Sequence, residues 1–440
     1  MIKLDQINHK KDLIKKIIKK KSTIGVIGLG YVGLPLSILF AKKKFKVLGF
    51  DLDKNKIKSI NSGKSYIERI SDSEVKIILK KGRCFSKFEK IIECDVIIIC
   101  VPTPLKNKRI PDLSFIKKTI ISLKNNLRPG QLLILESTSY PGTTREEIVK
   151  KLDKNLIPGR NFFIGFSSER INPGFNERTI NQVPKVVSGY SNDCLEIISN
   201  FYQMSFKKIV KSKSLEIAEF SKLLENIYRA VNIGFINEMK FVADKMNLDI
   251  YEILKVASTK PFGFRPFNPG PGIGGHCIPI DPHYLYWKAK KRGIKANFIK
   301  LSAETNFAVI NFIKKKINKI LNKKKIKKVT AKLLILGMAY KKNVDDLRES
   351  ASINLIKELL KDKYKNIEYS DPHIKDTILT REFKFSKKSI NLNSKNLKNF
   401  DIVILMTDHD KFDYKLIYKN SQTIIDCRGR YSVDHKVYRA

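Results

Sequence analysis

The chain has 440 residues, 42% hydrophobic and 29% charged, which is enough for two or three globular domains with cores of their own. No apolar run reaches the ~20 residues that cross a bilayer, and the N-terminus lacks the features of a secretory signal. The six cysteines have no paired or zinc-type spacing. We therefore predict a cytoplasmic protein with no metal and no stable membrane insertion.

The formal net charge of +43 would suit a nucleic-acid-binding protein, which is the alternative from a different functional class. The lysines, however, are spread along the whole chain, and only one Trp is present for stacking on bases. We interpret runs such as residues 313–328 as solvated helix faces and predict no nucleic-acid partner.

A basic arm precedes the first strand. Leu13, Ile14, Ile17 and Ile18 recur there at helical spacing. Such an amphipathic helix could lie on a membrane surface, but packing against the following domain is favoured.

Strands and helices then alternate. Strands are predicted at residues 23–30, 45–51, 95–101 and 132–136, with a helix at 33–43, one long helix at 214–247, and a second alternating region from Lys332 to the end. This α/β pattern predicts two Rossmann-like doubly wound parallel-sheet domains joined by a central helical domain. The expected bounds are 1–22 for the arm, 23–212 and 326–440 for the α/β domains, and 213–325 for the helical domain.

A Gly-x-Gly-x-x-Gly motif lies between the first strand and its helix. Gly28 permits the tight turn, Gly30 lets the backbone approach a pyrophosphate, and Gly33 allows close packing of the helix. Asp51 would accept hydrogen bonds from ribose hydroxyls, which predicts NAD unless Lys54 or Lys56 reads a 2′-phosphate. The candidate cofactor residues are Gly28, Gly30, Tyr31, Val32, Gly33, Asp51, Lys56, Pro102 and Thr103.

Residues 269–282 form an unusual loop with four glycines, four prolines and one thiol, Cys277. The other cysteines suit buried apolar positions, but a glycine-rich loop buries little. Asp281 and Pro282 are predicted as the N-cap and first residue of a helix, which would favour the thiolate. A reactive thiol with a nicotinamide suggests oxidation through a covalent sulfur intermediate.

Seven motifs occur in one order, and together they resemble the UDP-glucose/GDP-mannose dehydrogenase family from about residue 23 to the C-terminus. They lie at residues 28–33, 102–104, 136–144, 168–174, 222–226, 272–277 and 346–350. The resemblance implies an NAD domain, a central dimerisation domain and a C-terminal UDP-binding domain. It also implies a homodimer or higher homo-oligomer that oxidises the C6 alcohol of a UDP-sugar to a carboxylate, using two NAD⁺ and one water.

The family's functional residues carry over by motif. Cys277 would form the thiohemiacetal and thioester, with Asp281 as a base or a group that orients water. Lys222 and Asn226 share one face of the long helix and could stabilise the oxyanion, although such pairs are commonly solvated. Glu169 is expected to activate water for thioester hydrolysis, or else to pair with Arg170.

Thr138 is expected to position water and to contact the cofactor. Arg348 could bind pyrophosphate or a sugar hydroxyl, or pair with Asp345 or Glu349. His276, next to the thiol, stays outside the catalytic set because adjacent side chains in an extended loop diverge. The candidate substrate-binding residues are Glu169, Arg170, Lys222, Asn226, Phe267, Asn268, Pro269, Gly270, Gly274 and Arg348.

The loop most resembles that of the UDP-N-acetylhexosamine 6-dehydrogenases, which points to UDP-N-acetylglucosamine and to surface polysaccharide biosynthesis. UDP-glucose enzymes usually carry a lysine where this chain has Ile280. UDP-glucose, UDP-N-acetylgalactosamine and UDP-N-acetylmannosamine remain alternatives. An inactive family member is disfavoured by the intact set of Cys277, Lys222, Asn226 and Asp281.

Overall fold

A computed structural model describes residues 8–106, 109–170, 180–275, 277–376, 378–379 and 383–440. The chain divides into two compact units, Met1–Glu225 and Asn226–Ala440. The 31-residue helix α7 (Leu215–Lys245) runs from the first unit into the second. Among the described residues, no helix combines the length and apolar character needed to cross a membrane.

The first unit is built on a sheet that helices surround. Its strands are β1 (Thr23–Ile27), β2 (Lys46–Phe50), β3 (Arg83–Phe85), β4 (Val96–Ile99), β5 (Leu105–Lys106), β6 (Ile110–Pro111), β7 (Leu132–Leu135), β8 (Phe163–Phe166), β9 (Lys185–Gly189) and β10 (Ile209–Lys211). Its helices besides α7 are α1 (His9–Ile18), α2 (Gly33–Lys42), α3 (Lys54–Asn61), α4 (Asp72–Leu79), α5 (Ser114–Leu123) and α6 (Asn192–Gln203).

Eight of these strands form one sheet in the order β10-β9-β8-β7-β4-β1-β2-β3. The six from β3 to β8 are parallel, and β4 and β7 are wholly buried aliphatic runs, as expected for strands covered on both faces. The predicted parallel sheet is thus confirmed, with one difference: β9 pairs antiparallel to β8. Strands β5 and β6 form a separate antiparallel pair.

The arm forms helix α1 and packs on this unit. Leu13 and Ile17 are buried in the same core as α6, while Ile18 stays 53% exposed. The Lys10 ammonium lies 2.6 Å from carboxylate oxygens of both Asp193 and Glu196 on α6. Burial of its apolar face within the protein removes the reason to place this helix on a membrane surface.

The second unit carries a smaller parallel sheet. Its strands are β11 (Lys332–Leu336), β12 (Asn366–Ser370), β13 (Ile378–Leu379), β14 (Lys384–Phe385), β15 (Ile402–Leu405), β16 (Ile424–Asp426) and β17 (Val437–Arg439), and its helices are α8 (Ile250–Ala257), α9 (Asp281–Lys291), α10 (Asn297–Lys323), α11 (Ala351–Lys361), α12 (Ser394–Lys398) and α13 (Tyr414–Asn420). The main sheet has the order β12-β11-β15-β16-β17, a second doubly wound arrangement, which confirms the predicted fold class.

Candidate active site

The glycine turn after β1 has the geometry that its sequence predicts. Gly28 has φ +88°, and a Cβ added there would lie 2.7 Å from the Cys100 carbonyl oxygen. A Cβ on Gly33 would lie 1.9 Å from the Gly28 oxygen, so α2 packs against the turn only without a side chain. A Cβ on Gly30 would meet no atom within 4 Å. Gly30 therefore faces an opening in which a pyrophosphate fits.

Asp51 follows β2 and is tied to the same turn. Its Oδ2 accepts from the Leu29 N–H at 2.9 Å, and its Oδ1 accepts from the Asp53 N–H at 3.0 Å. Lys56 Nζ lies 3.5 Å from Asp51 Oδ2, so this lysine neutralises the carboxylate. Two carboxylate oxygens offer about four acceptor positions, which leaves room for ribose hydroxyls.

Pro102, Thr103 and Thr138 follow β4 and β7 at the carboxyl end of the sheet. The Ser137 hydroxyl donates to the Val101 carbonyl at 2.7 Å and joins the two loops. Strand order reverses between β1 and β4, and ligands of such sheets bind in the crevice at that point. The glycine turn and these loops lie at this edge and fit a dinucleotide.

Glu169 and Arg170 follow β8. Glu169 Oε1 accepts from the backbone N–H of Arg170 at 2.6 Å, but the Arg170 guanidinium pairs with Glu225 at 2.6 Å and donates to the Pro184 carbonyl. The guanidinium is therefore engaged within the protein, and the substrate contact of Arg170 stays a prediction. The motif continues at residues 171–174, which lie outside the described residues.

Helix α7 carries Lys222 and Asn226 four residues apart, and both side chains are buried. Burial argues against a solvated surface pair. One turn earlier, Glu219 accepts from the Gly142 N–H at 2.5 Å and from the Thr144 N–H and hydroxyl at 2.8 and 2.7 Å. Sequence reasoning missed Glu219, although it stands three residues before Lys222 on the same helix.

Asn226 and Asp281 are brought together in the second unit. The Asn226 amide donates to Asp281 Oδ2 at 2.5 Å, while its carbonyl oxygen accepts from the Arg229 guanidinium. Arg229, another residue that sequence reasoning missed, thus fixes which end of the amide donates. The remaining amide hydrogen of Asn226 can be offered to an oxyanion.

Cys277 is exposed, whereas Cys84, Cys94, Cys194 and Cys427 are buried and Cys100 is partly so. The N–H groups of Ile280 and Asp281 both donate to the Cys277 carbonyl, at 3.2 and 2.8 Å. The Asp281 N–H thus already makes a hydrogen bond of the helical kind, to the carbonyl four residues earlier, and α9 begins at Asp281 rather than at Pro282. The predicted N-cap role of Asp281 is therefore wrong: Ile280 holds that position, and the Asp281 carboxylate turns to Asn226.

The loop before the thiol is fixed by buried polar side chains. The Gly270 N–H donates to Asn237 Oδ1 at 3.0 Å, and Lys240 Nζ donates to the Gly270 carbonyl at 3.0 Å. A Cβ on Gly270 would lie 3.2 Å from Arg428 Nη1. This guanidinium, which follows β16, extends the candidate substrate set beyond the residues that sequence reasoning found.

The other substrate candidates in this unit have these surroundings. The Phe267 ring packs edge-on against Tyr228 at 5.9 Å, Asn268 is exposed, and Pro269 is buried. A Cβ on Gly274 would lie 2.6 Å from Tyr340 Cβ, and the Gly275 N–H donates to the Arg348 carbonyl at 2.9 Å. His276 lies outside the described residues.

Arg348 joins the thiol loop through its backbone. Its guanidinium donates to both oxygens of Asp346, at 2.6 to 3.0 Å. Asp346 is thus one partner of this guanidinium, because two residues of separation bring the side chains together in this turn, and pairing with Asp345 or Glu349 stays a prediction. No group of three or more His, Cys, Asp or Glu side chains suited to a metal occurs among the described residues.

The glycine turn at a sheet switch point, the acidic residue after β2 and the exposed thiol are features of an NAD-dependent oxidoreductase. The sequence matches three domains of one family: the NAD binding domain at residues 22–206, the central domain at 216–308 and the UDP binding domain at 334–433. The chain belongs to the UDP-glucose/GDP-mannose dehydrogenase family, and it is an NAD-dependent UDP-sugar dehydrogenase.

Similar proteins cover most of the chain. Protein CapL of Staphylococcus aureus is 34% identical over 92% of this chain and 95% of its own length. The UDP-N-acetyl-D-glucosamine 6-dehydrogenase of Salmonella typhi is 33% identical over 88% of this chain and 90% of its own. The solved structure of the UDP-D-ManNAc dehydrogenase from Pyrococcus horikoshii superposes with a TM-score of 0.84 at 29% identity, over 95% and 98% of the two chains.

Proposed function

We propose that this enzyme oxidises the C6 alcohol of UDP-N-acetylglucosamine to the uronic acid in two two-electron steps, for surface polysaccharide biosynthesis in the cytoplasm. The single observation that carries the proposal is the exposure of Cys277 in a hydrogen-bonded turn, while no other cysteine of the six is exposed. A thiol is needed because an aldehyde must first become a tetrahedral adduct before a second hydride can leave it.

Bound NAD⁺ supplies the acceptor for each hydride. Asp281, held by Asn226, takes the alcohol proton in the first step. The Cys277 thiolate then adds to the aldehyde and forms a thiohemiacetal, and loss of the second hydride and one proton leaves a thioester. Water, activated by Glu169 and positioned by Thr138, adds to the acyl carbon as the C–S bond breaks. Overall, one alcohol, one water and two NAD⁺ give a carboxylate, two NADH and three protons.

Lys222 and Asn226 are proposed to stabilise the oxyanion of both addition steps. A buried ammonium and a buried, oriented amide stabilise an oxyanion more strongly there than in water, because the site is already desolvated. The cofactor residues are proposed as Gly28, Gly30, Tyr31, Val32, Gly33, Asp51, Lys56, Pro102, Thr103 and Thr138. The substrate residues are proposed as Glu169, Arg170, Lys222, Asn226, Phe267, Asn268, Pro269, Gly270, Gly274 and Arg348, with Arg428 added.

UDP-N-acetylmannosamine is the second candidate substrate, because the structural similarity to the Pyrococcus horikoshii enzyme is high while the Salmonella typhi relative acts on the glucosamine epimer by its name. Steady-state NADH formation with UDP-glucose and the three UDP-N-acetylhexosamines separates them. We expect the highest kcat/KM with UDP-N-acetylglucosamine and two NADH per sugar. Activity with UDP-glucose alone would refute the proposed substrate.

Replacement of Cys277 tests the covalent step. Cys277→Ala should abolish net acid formation, lowering it by at least about 10³-fold, because no thioester can form. The side chain is exposed, so the unfolding free energy should change by less than about 0.5 kcal/mol. Product analysis and thermal unfolding check the two expectations. Two NADH per sugar from Cys277→Ala would contradict the mechanism.

We also propose a homodimer formed through α7. Six apolar side chains on this helix are 42–58% exposed, and Met246, directly after its last residue, is 62% exposed. The six are Ile217, Phe220, Leu224, Tyr228, Phe235 and Val242. At 100° per residue they fall within an arc of about 80°, opposite the face that carries Lys222 and Asn226. A stripe of this length is suited to burial against a second copy.

A further inference from the structure

The antiparallel strand β9 brings an unexpected lysine to the ligand edge of the first sheet. The other strands next to the site are parallel, so their first residues lie at the opposite edge. In the antiparallel pair, Gly165 lies across from Gly189 and Phe166 from Ser188. Continuing that register places Lys185, the first residue of β9, across from Glu169.

Lys185 is the centre of a row of interacting side chains, Tyr202, Glu136, Lys185 and Glu169, most of which is buried. Its Nζ lies 2.9 Å from Glu136 Oε2 and 3.9 Å from Glu169 Oε2, and it donates to the Ser168 carbonyl at 3.4 Å. The Tyr202 hydroxyl donates to the other oxygen of Glu136. The side chains of Lys185 and Glu136 are 3% and 0% exposed, whereas Glu169 is 16% exposed.

Such a row of charged side chains is costly to bury, which argues that it has a functional role. Burial alone would lower the pKa of Lys185, but its two carboxylate neighbours raise it, so the lysine stays charged. The rings of Tyr202 and Phe206 enclose the ammonium at 5.2 and 5.3 Å and prevent it from moving to water. One end of this row of side chains, Tyr202 and Glu136, is thus fixed in the core, and the other end is the Glu169 carboxylate, which is proposed to activate water.

We propose that Lys185 is a positioning residue that holds the Glu169 carboxylate for thioester hydrolysis, with Glu136 and Tyr202 anchoring the lysine. This role rests on the proposed function. In that step a water proton passes to Glu169, the water oxygen bonds to the acyl carbon, and the C–S bond breaks to release the Cys277 thiolate. Lys185 makes and breaks no bond, so both hydride transfers should survive its loss.

Rapid-mixing kinetics on Lys185→Met tests this role with UDP-N-acetylglucosamine and NAD⁺. We expect a burst of two NADH per active site at a rate within about 3-fold of wild type, then a steady-state kcat at least about 10-fold lower. Intact-mass analysis should find the acyl group on Cys277. Lys185→Arg, which keeps the charge, should recover much of the steady-state rate.

Lys185→Met leaves Glu136 buried without its counter-charge, which can prevent folding. Lys185→Met/Glu136→Gln removes both charges and should show the same burst and acyl-enzyme. Equal slowing of all steps in the folded variants, with no acyl-enzyme, would mean that Lys185 is purely structural. That result would overturn its positioning role and leave the proposed function standing. A wild-type enzyme that makes no NADH from any UDP-sugar would overturn the proposed function as well.

Discussion

At the scale of single residues, the absence of a side chain at Gly30 serves ligand binding, whereas its absence at Gly33 serves the packing of α2. An added Cβ meets nothing at Gly30 but lies 1.9 Å from the Gly28 oxygen at Gly33. Gly30→Ala should therefore keep the unfolding midpoint within about 2 °C of wild type while NAD⁺ affinity falls at least about 10-fold. Gly33→Ala should cost about 1–3 kcal/mol because α2 must move.

Calorimetric titration with NAD⁺ and thermal unfolding of the two variants check this pair. Each variant is the control for the other, since both add one methyl group three residues apart. If Gly30→Ala binds NAD⁺ as wild type does, the opening beside Gly30 is not the pyrophosphate site. If Gly33→Ala unfolds at the wild-type temperature, the packing argument is wrong.

Residue types with a rigid local geometry could be predicted from sequence. The positive φ of Gly28 and the close approach at Gly33 follow from the motif alone, because only glycine permits them. Lys185, Glu219 and Arg229 could not be found, because their roles depend on partners 49 to 77 residues away or on the orientation of an amide. The N-cap at Asp281 was wrong because a one-residue shift in the turn reassigns its carboxylate.

At the scale of elements, Glu219 ties α7 to the loop that follows β7. Burial raises the pKa of Glu219 to about 7, despite three hydrogen bonds that favour its charged form. An acid whose pKa is raised in the folded state stabilises the protein fully below its unfolded pKa of 4.5, and this contribution is lost as the pH rises through 7. The unfolding free energy should therefore lose about 2–3 kcal/mol from this group between pH 5 and 8.

Glu219→Gln should flatten this dependence, because an amide does not titrate. We expect the difference in unfolding midpoint between pH 5 and pH 8 to shrink by about 5 °C or more relative to wild type. Glu216→Gln is the matched control on the same helix: burial is the largest influence on the pKa of Glu216 and raises it, but the hydrogen bonds and the charge of Arg145 together lower it below its usual value. Its contribution to stability therefore depends on pH in the opposite direction. An unchanged pH dependence in Glu219→Gln would show that the carboxylate is already charged at pH 5.

In the second sheet, the order of strands and helices alone does not reveal whether the acidic residue after β12 is open to a ligand. Gly337 follows β11 with φ +84°, and Asp371 after β12 accepts from the Met338 and Ala339 N–H groups at 2.6 and 3.0 Å, much as Asp51 accepts from Leu29. His409, however, fills the space beside Asp371 at 3.1 Å, and both are fully enclosed. A second dinucleotide fold is thus present without an acidic group open to a ribose.

At the scale of the whole molecule, the sequence predicted the two parallel sheets and the long helix between them but not which surfaces remain uncovered. The long helix followed from an uninterrupted run without proline, and its bounds of Leu215–Lys245 agree with the expected 214–247. The apolar stripe on α7 was not apparent, because core and interface residues have the same composition and only burial separates them.

The stripe leads to a prediction about assembly. Wild-type protein should have roughly twice its chain mass of 50.6 kDa by size-exclusion chromatography with light scattering, because a helix of about 46 Å with an apolar face is costly to leave in water. Phe235→Glu, at the middle of the stripe, should shift the mass to that of a single chain at micromolar concentration, since a carboxylate would be buried without a partner. Ile121→Glu on α5, which is 67% exposed and lies off α7, is the control and should leave the mass unchanged. A monomeric wild type, or a Phe235→Glu variant that keeps the dimer mass, would show that α7 is not where two copies meet.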